Sequence, residues 1–333
     1  MSASNKIGCA LVAALLVSAG SVSAQTFNMK IGNATRADVQ YEWQTQMQKR
    51  VQERSKGRIK VGIYGSSQLG SINRMIEGVQ LGTIESWVGP GEFLARVAAG
   101  FQVPGAPGIF KDAAHAGRAV TDPKFREAFL AVGESKGVKG ISVFIYGPSL
   151  ILFSDPVKSL AGFKSKKVRV FGAPIQVEPF KALGGAPLPM NLAEVLPALQ
   201  RHVIDGSLSS ITVFTTFRYW DVAKNLVDTG YQMTVSVGIV SKRWFDSLPH
   251  DLQQVVLSVG KELEPEMTAW GIDAANKAKK AWTDHGGKII QLPAAEHAQM
   301  MKTVQAVGEK VMQAQPAAVQ LYNLLKDAAR RTR

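Results

Sequence analysis

Cysteine is all but absent. The 333-residue chain has one, Cys9, so an internal disulfide, a C-x-x-C redox pair and a thiolate metal cluster are all excluded. Histidine is scarce as well: His115, His202, His250, His285 and His297 lie far apart, none in an H-E-x-x-H motif, so no metal site is expected. A P-loop is missing. Gly89-Pro90-Gly91-Glu92-Phe93-Leu94 begins like G-x-G-x-x-G but lacks the last glycine that lets a backbone approach a pyrophosphate, and it reads as a loop. Gly147-Pro148-Ser149-Leu150-Ile151 likewise lacks the final glycine of a nucleophile elbow. Glycosidase carboxylate pairs can be distant in the chain, but nothing here points to one. Neither enzymatic activity nor a bound cofactor is therefore expected. Long hydrophobic runs are lacking too: Ile7 to Val17 is too short to span a bilayer, so no membrane insertion is expected.

What remains is an ordinary globular balance. Hydrophobic residues make up 46% and charged ones 20%, which argues against a disordered chain, and 333 residues at roughly 150 per domain suggest two domains. The formal charge of +13 favours anionic partners by raising their local concentration. The basic clusters Lys164-Ser165-Lys166-Lys167, Lys277-Ala278-Lys279-Lys280 and Arg330-Arg331-Thr332-Arg333 are scattered and not laid out as a stripe with aromatics between them. They read as solvated faces, and no nucleic-acid partner is expected. The N-terminus has its own character: Lys6, then the apolar run, then small residues ending Val22-Ser23-Ala24 form a secretory signal over residues 1–24. The mature chain would start near Gln25, exported, soluble and periplasmic in a bacterium. Cys9 precedes the cleavage point and is not placed to carry a lipid.

From Phe27 onward strand-like and helix-like stretches alternate, the pattern of α/β domains with largely parallel sheets. Met29–Ile31 reads as a strand, Tyr41–Arg54 as a helix stopped at Gly57, and Ile59, Val61 and Ile63 share one face of a second strand. A helix over Ser71–Leu81 and a strand over Ile84–Val88 complete a β-α-β-α-β unit. The second region repeats the logic with strands at Gly140–Tyr146 and Val168–Phe171 and helices at Pro174–Leu183 and Asn191–Arg201. After an apolar β-like stretch at Val235–Ser241, residues Asp246–Asp284 form one long helical stretch, which Pro265 is expected to kink.

Several segments in this order resemble the extracytoplasmic substrate-binding proteins of TRAP transporters, of the dicarboxylate-binding DctP type. They are Gly57-Arg58-Ile59-Lys60-Val61, Ser67-Gln68-Leu69-Gly70, Gln80-Leu81-Gly82-Thr83-Ile84, Phe163-Lys164-Ser165-Lys166-Lys167-Val168-Arg169-Val170, Val203-Ile204-Asp205-Gly206 and Tyr219-Trp220-Asp221-Val222-Ala223-Lys224-Asn225-Leu226. The resemblance runs from about Phe27 to His285. It implies an α/β, two-lobed periplasmic binding protein fold with a long hinge-spanning helix. On that fold the first lobe would be 26–146 with 235–274, and the second 147–234 with 275–325.

The resemblance also implies that a strand-borne arginine pairs with the ligand carboxylate, and the matching residue is Arg169. Independently, a guanidinium offers a carboxylate two parallel hydrogen bonds, and Arg169 alternates with Val168 and Val170, so it faces away from them. Where many members carry a second arginine this chain has Ser149, and where many carry asparagine it has Ser209. Both changes put a hydroxyl in place of a charge or an amide, and a monocarboxylate is the expected ligand. By position, Asn33, Ala34, Trp87, Gly89 and Leu192 are further pocket candidates, with Phe171, Gly172 and Phe214 lining the other lobe. The implied partners are a small organic acid and the small and large membrane subunits of the transporter, with the receptor a monomer or a homodimer. A receptor for an ABC importer or a sensor kinase, a periplasmic enzyme and, against the export signal, a nucleic-acid binder are the other readings.

Overall fold

The computed structural model describes residues 25–333, so the expected signal segment lies outside the described residues. The first elements are β1 (Phe27–Gly32), α1 (Val39–Arg54), β2 (Ile59–Tyr64), α2 (Ile72–Leu81) and β3 (Ser86–Pro90), the order expected. Then come α3 (Ala113–Val120), α4 (Pro123–Ala131), β4 (Val138–Phe153), β5 (Lys167–Val170), α5 (Pro174–Ala182), β6 (Ala186–Pro189) and α6 (Leu192–Gln200). The chain continues through β7 (Gly206–Ser210), α7 (Ile211–Thr216), β8 (Asn225–Val227), β9 (Met233–Ser241) and α8 (Lys242–Ser247). It ends with α9 (His250–Asp284), β10 (Lys288–Ile290), α10 (Ala294–Gln313) and α11 (Pro316–Arg331).

Local chemistry accounts for these boundaries. Asp38 caps α1 by accepting from the amides of Gln40 and Tyr41, and Ser71 caps α2, whose far end closes on Gly82 at φ 80°. The strands follow in the order β2-β1-β3-β9-β4-β7-β5-β6, with β8 paired to β4 and β10 to β8. β1 is parallel to β2 and β3, whereas β9 runs antiparallel to both β3 and β4. In the second sheet β5 is parallel to β6 and β7.

β4 is common to both sheets. Its first half pairs with β9 and its second half with β7 and β8. It runs past Tyr146, where the sequence suggests a stop at Gly147-Pro148, because Gly147 takes φ 150° and the register with β9 shifts there, absorbing the bend between sheets. Side chains of β4 alternate accordingly: Ile141 and Phe144 face one core of the first sheet, Val143 and Ile145 the other. Farther along, Leu150 and Leu152 enter a third core, Ile151 and Phe153 a fourth.

α9 packs along β4 and so crosses from one sheet to the other. Two glycines permit the approach: a Cβ on Gly260 would lie 2.4 Å from the Ile141 carbonyl oxygen, and one on Gly271 2.6 Å from that of Ile145. The long helical stretch starts later than the sequence suggests, since α8 closes at Ser247 and Pro249 caps a new helix at His250. Pro265 lies inside α9, which is continuous through it. Leu321, Leu325 and Ala328 of the C-terminal helix α11 share a core with Phe101, Phe125 and Phe129 and pack on α3 and α4, where its apolar stripe is buried.

Candidate functional site

Arg169 is the middle of β5, and the strand's pleat decides its direction. Val168 and Val170 point into the fourth core, and the guanidinium therefore projects from the opposite face of the sheet, toward the space between the lobes. It is 1% exposed. Its Nε donates to the Met190 carbonyl at 3.0 Å and its Nη1 to that of Leu208 at 3.4 Å, and no carboxylate pairs with it among the described residues. Burial lowers its pKa from 12.5 to about 10, with Tyr219 and Glu194 opposing the shift, so it stays charged at neutral pH. A buried cation without an anion is costly unless something supplies the charge.

Arg169 opens onto a small inner chamber of about 30 Å³, room for one or two waters. It is the one charged residue among the described residues that line it. The polar lining is Thr35, Gln40, Tyr146, Ser209, Ser210 and Thr234, and the apolar lining includes Ala34, Ile72, Phe93, Phe171 and Leu192. Much of the polar lining is already tied down. Asn33 Nδ2 donates to Thr35 Oγ1 at 3.1 Å, Gln40 Nε2 to Ser236 Oγ at 3.0 Å, and the Tyr146 hydroxyl to Asp38 at 2.9 Å. Burial raises the Asp38 carboxyl and, more strongly, the Tyr146 hydroxyl.

Above the inner chamber lies a larger one, about 510 Å³, between the turn after β3 and the β5–α6 segment. Phe93 and Phe171 border both chambers and stack on each other, ring centroids 4.7 Å apart and planes at 21°. The outer chamber is polar, with Glu92, Gln102, Asn191, Glu194 and the exposed Arg96 on its walls. No helix among the described residues is long and apolar enough to cross a membrane, and none of their His, Cys, Asp and Glu side chains cluster as a metal site.

Of the residues anticipated from sequence, Arg169, Ser209, Ala34, Phe171 and Leu192 meet at the inner chamber, and Gly172 lines the outer one. Asn33 and Ser149 stand one hydrogen bond behind the wall: Asn33 holds Thr35, and the Ser149 hydroxyl bonds Thr234 Oγ1 at 2.7 Å. Trp87, Gly89 and Phe214 do not reach either chamber. Trp87 is 1% exposed in the first core and lies over Gly89, where a Cβ would sit 2.3 Å from its ring. Phe214 is buried against Tyr219 and Trp282. For Trp87 and Phe214 the packing of large apolar surface wins over the cleft, and Gly89 lies beneath the Trp87 ring. Phe93, Gln40, Tyr146 and Thr234 were not anticipated. Phe93 lies in the Gly89–Leu94 segment, where the pattern of glycines draws attention away from the aromatic.

Glu92 offers a test of these electrostatics. It is 3% exposed, receives a 3.5 Å hydrogen bond from Gln232 Nε2, and has no cation beside it among the described residues. Burial pushes its carboxyl from 4.5 up to about 8. The unfolded chain releases this proton at the lower pH and the folded chain holds it to the higher one, so the group's contribution to stability falls as pH rises between the two values. Glu92→Gln should therefore match the wild type at about pH 4 and become progressively more stable than it toward about pH 8. Urea midpoints across that range check this, and a gap that is constant with pH would refute it.

The comparisons with known proteins agree with this geometry. Residues 32–315 match the family described as bacterial extracellular solute-binding protein, family 7. The chain is 31% identical over 213 residues to the 2,3-diketo-L-gulonate-binding periplasmic protein of Escherichia coli K12. That match covers 64% of this chain and 65% of the relative, so the chain spans just under two thirds of the relative's length. It is similar in structure to a TRAP periplasmic solute-binding protein from Desulfovibrio salexigens with bound orotic acid. There the TM-score is 0.87 and the identity 25%, covering 92% of this chain and 100% of that one. A TRAP periplasmic solute-binding protein from Xanthobacter autotrophicus Py2 with bound β-D-galacturonate gives a TM-score of 0.83 at 25% identity, covering 91% and 99%. With a match that takes in both sheets and the chamber between them, the chain belongs to the bacterial extracellular solute-binding protein family 7, in its two-lobed TRAP form.

Proposed function

We propose that this protein is a periplasmic receptor that binds a small organic monocarboxylate between its lobes and releases it, chemically unchanged, to the small and large membrane subunits of a TRAP transporter. The observation that carries the reading is Arg169: a charged guanidinium, 1% exposed, at the floor of the interlobe space with carbonyl partners and no anion. A ligand carboxylate supplies the missing charge through a bidentate pair. The preference for one carboxylate rests on the inner chamber, whose other polar groups are hydroxyls and amides. The relatives point to acids as a class, since their names and bound molecules are a diketogulonate, orotic acid and galacturonate.

In this reading the first lobe is 26–146 with 235–274 and α11, and the second is 147–234 with 275–315. They close about the crossings in β4, α9 and the segment leading into β9. Ligand contacts with both lobes shift the population toward the closed form, which expels water and strengthens the ion pair. Thermal unfolding of the mature chain against aliphatic, keto, hydroxy and aromatic acids tests it. At 100 times its dissociation constant a ligand should add about 2.7 kcal/mol to the native state, a plain rise in melting temperature. If no acid moves the midpoint, the receptor reading is wrong.

A further inference from the structure

We infer that the acid taken by this cleft has a flat, unsaturated body, held face to face between Phe93 and Phe171 while its carboxylate sits on Arg169. The inference rests on the carboxylate-receptor reading above and adds the shape of the ligand to it.

The first observation is one of space. The inner chamber's roughly 30 Å³ accommodates water but not an organic acid, so a ligand that reaches Arg169 has to part the lid above it. That lid is the stacked ring pair. Phe93 comes from the turn after β3 and Phe171 from the end of β5, so the two rings belong to opposite lobes and lobe movement sets the gap between them. Both rings are half-buried, and each borders the inner and outer chambers alike.

The second observation is one of orientation. The Arg169 guanidinium carbon lies over the Phe171 ring, 4.8 Å from its centroid, and over that of Phe93, 5.9 Å from its centroid, so the cation adjoins both rings that a ligand between them would meet. The rings already lie nearly parallel, at 21°, and a flat slab requires about 3.5 Å to each face, a ring separation of about 7 Å. A planar acid entering edge-on meets two apolar faces and ends with its carboxylate on the guanidinium.

Other acids fit this slot poorly. A polyhydroxylated chain would press its hydroxyls against two ring faces that cannot hydrogen-bond them. The far carboxylate of a diacid would emerge into the outer chamber beside Glu194, where Arg96 is the one cation among the described lining residues and is exposed to solvent.

Calorimetric titration of the mature chain with benzoate, cyclohexanecarboxylate, gluconate and succinate tests the inference in the wild type, Phe93→Ala, Phe93→Leu, Phe171→Ala and Arg169→Met. Benzoate should bind at least about tenfold more tightly than the other three, and each alanine variant should weaken it about tenfold or more. Phe93→Leu keeps an apolar side chain of similar volume but no flat face, so it should weaken benzoate while leaving cyclohexanecarboxylate unchanged. A merely structural role for Phe93 would move both acids together. If gluconate or succinate binds as tightly as benzoate, or if the phenylalanine variants weaken every acid equally, the flat-ligand inference falls. In that case a loss of all binding in Arg169→Met leaves the carboxylate anchor standing. If none of the four acids binds the wild type, the receptor reading and this inference fall together.

Discussion

Arg169→Met is expected to weaken acid binding by roughly two to three and a half orders of magnitude, while the ligand-free protein stays as stable as the wild type or becomes more so. The two halves of this result have one cause. The guanidinium is 1% exposed and held by two backbone carbonyls, with no protein carboxylate among the described residues to offset the loss of its hydration. Methionine fills a similar volume without that penalty, and apolar replacements of buried charges are often neutral or stabilising. In the bound state the balance reverses, because a carboxylate left without its cation in a water-poor chamber costs about 3–5 kcal/mol. Arg169→Lys should not rescue binding. An ammonium is a single compact charge and cannot reproduce two parallel hydrogen bonds. Urea unfolding of the ligand-free variants together with calorimetric titration separates the effects. A variant that loses stability and keeps affinity would show that Arg169 serves the fold and not the ligand.

Glu264→Ala should lower unfolding free energy by about 3 kcal/mol. Glu264 is 2% exposed on the β4-facing side of α9. One carboxylate oxygen accepts the Val143 amide at 3.0 Å, and both accept from Arg126 Nε at 2.8 Å, so the side chain ties the hinge helix to β4 and to α4. Burial raises its carboxyl, with the Arg126 pair opposing, which places an acid that is hard to ionise where its charge is needed. Alanine leaves a buried amide and a largely buried guanidinium without an acceptor where α9 packs on β4 and α4. Glu264→Gln, which can still accept from Val143, should recover part of the loss. The check is the shift in urea midpoint at unchanged slope. A midpoint equal to the wild type would mean that water satisfies both groups equally well.

Short-range chemistry made the order of elements in the first lobe legible. The alternation of Ile59, Val61 and Ile63, the cap at Ser71 and the left-handed Gly82 are contained within a few residues of the structure they specify. The same locality explains the misreading of β4. Gly147-Pro148 looks like a break because within one segment it is one, and it becomes a bend in a continuous strand once β9 is present to pair across it. The placement of α11 had the same obscurity, since its apolar stripe is visible in sequence but the core that receives it, around Phe101 and Phe125, is distant in the chain.

The candidate site divides along the same line. Arg169 was singled out by the family resemblance, with its flanking valines giving its direction on the strand and its guanidinium the chemistry it offers. Trp87 and Phe214 were not separable from lining residues, since an aromatic that packs and one that greets a ligand look alike in a sequence. Phe93 went unread because its stacking on Phe171 joins segments distant in the chain. By itself, then, the sequence determined the succession of strands and helices in the first lobe and the direction of Arg169 on β5, both consequences of interactions between near neighbours in the chain. The tertiary structure decided which aromatics border the chambers, that Arg169 is buried without a carboxylate partner among the described residues and how α9 spans the lobes, because burial and pairing depend on which distant segments meet.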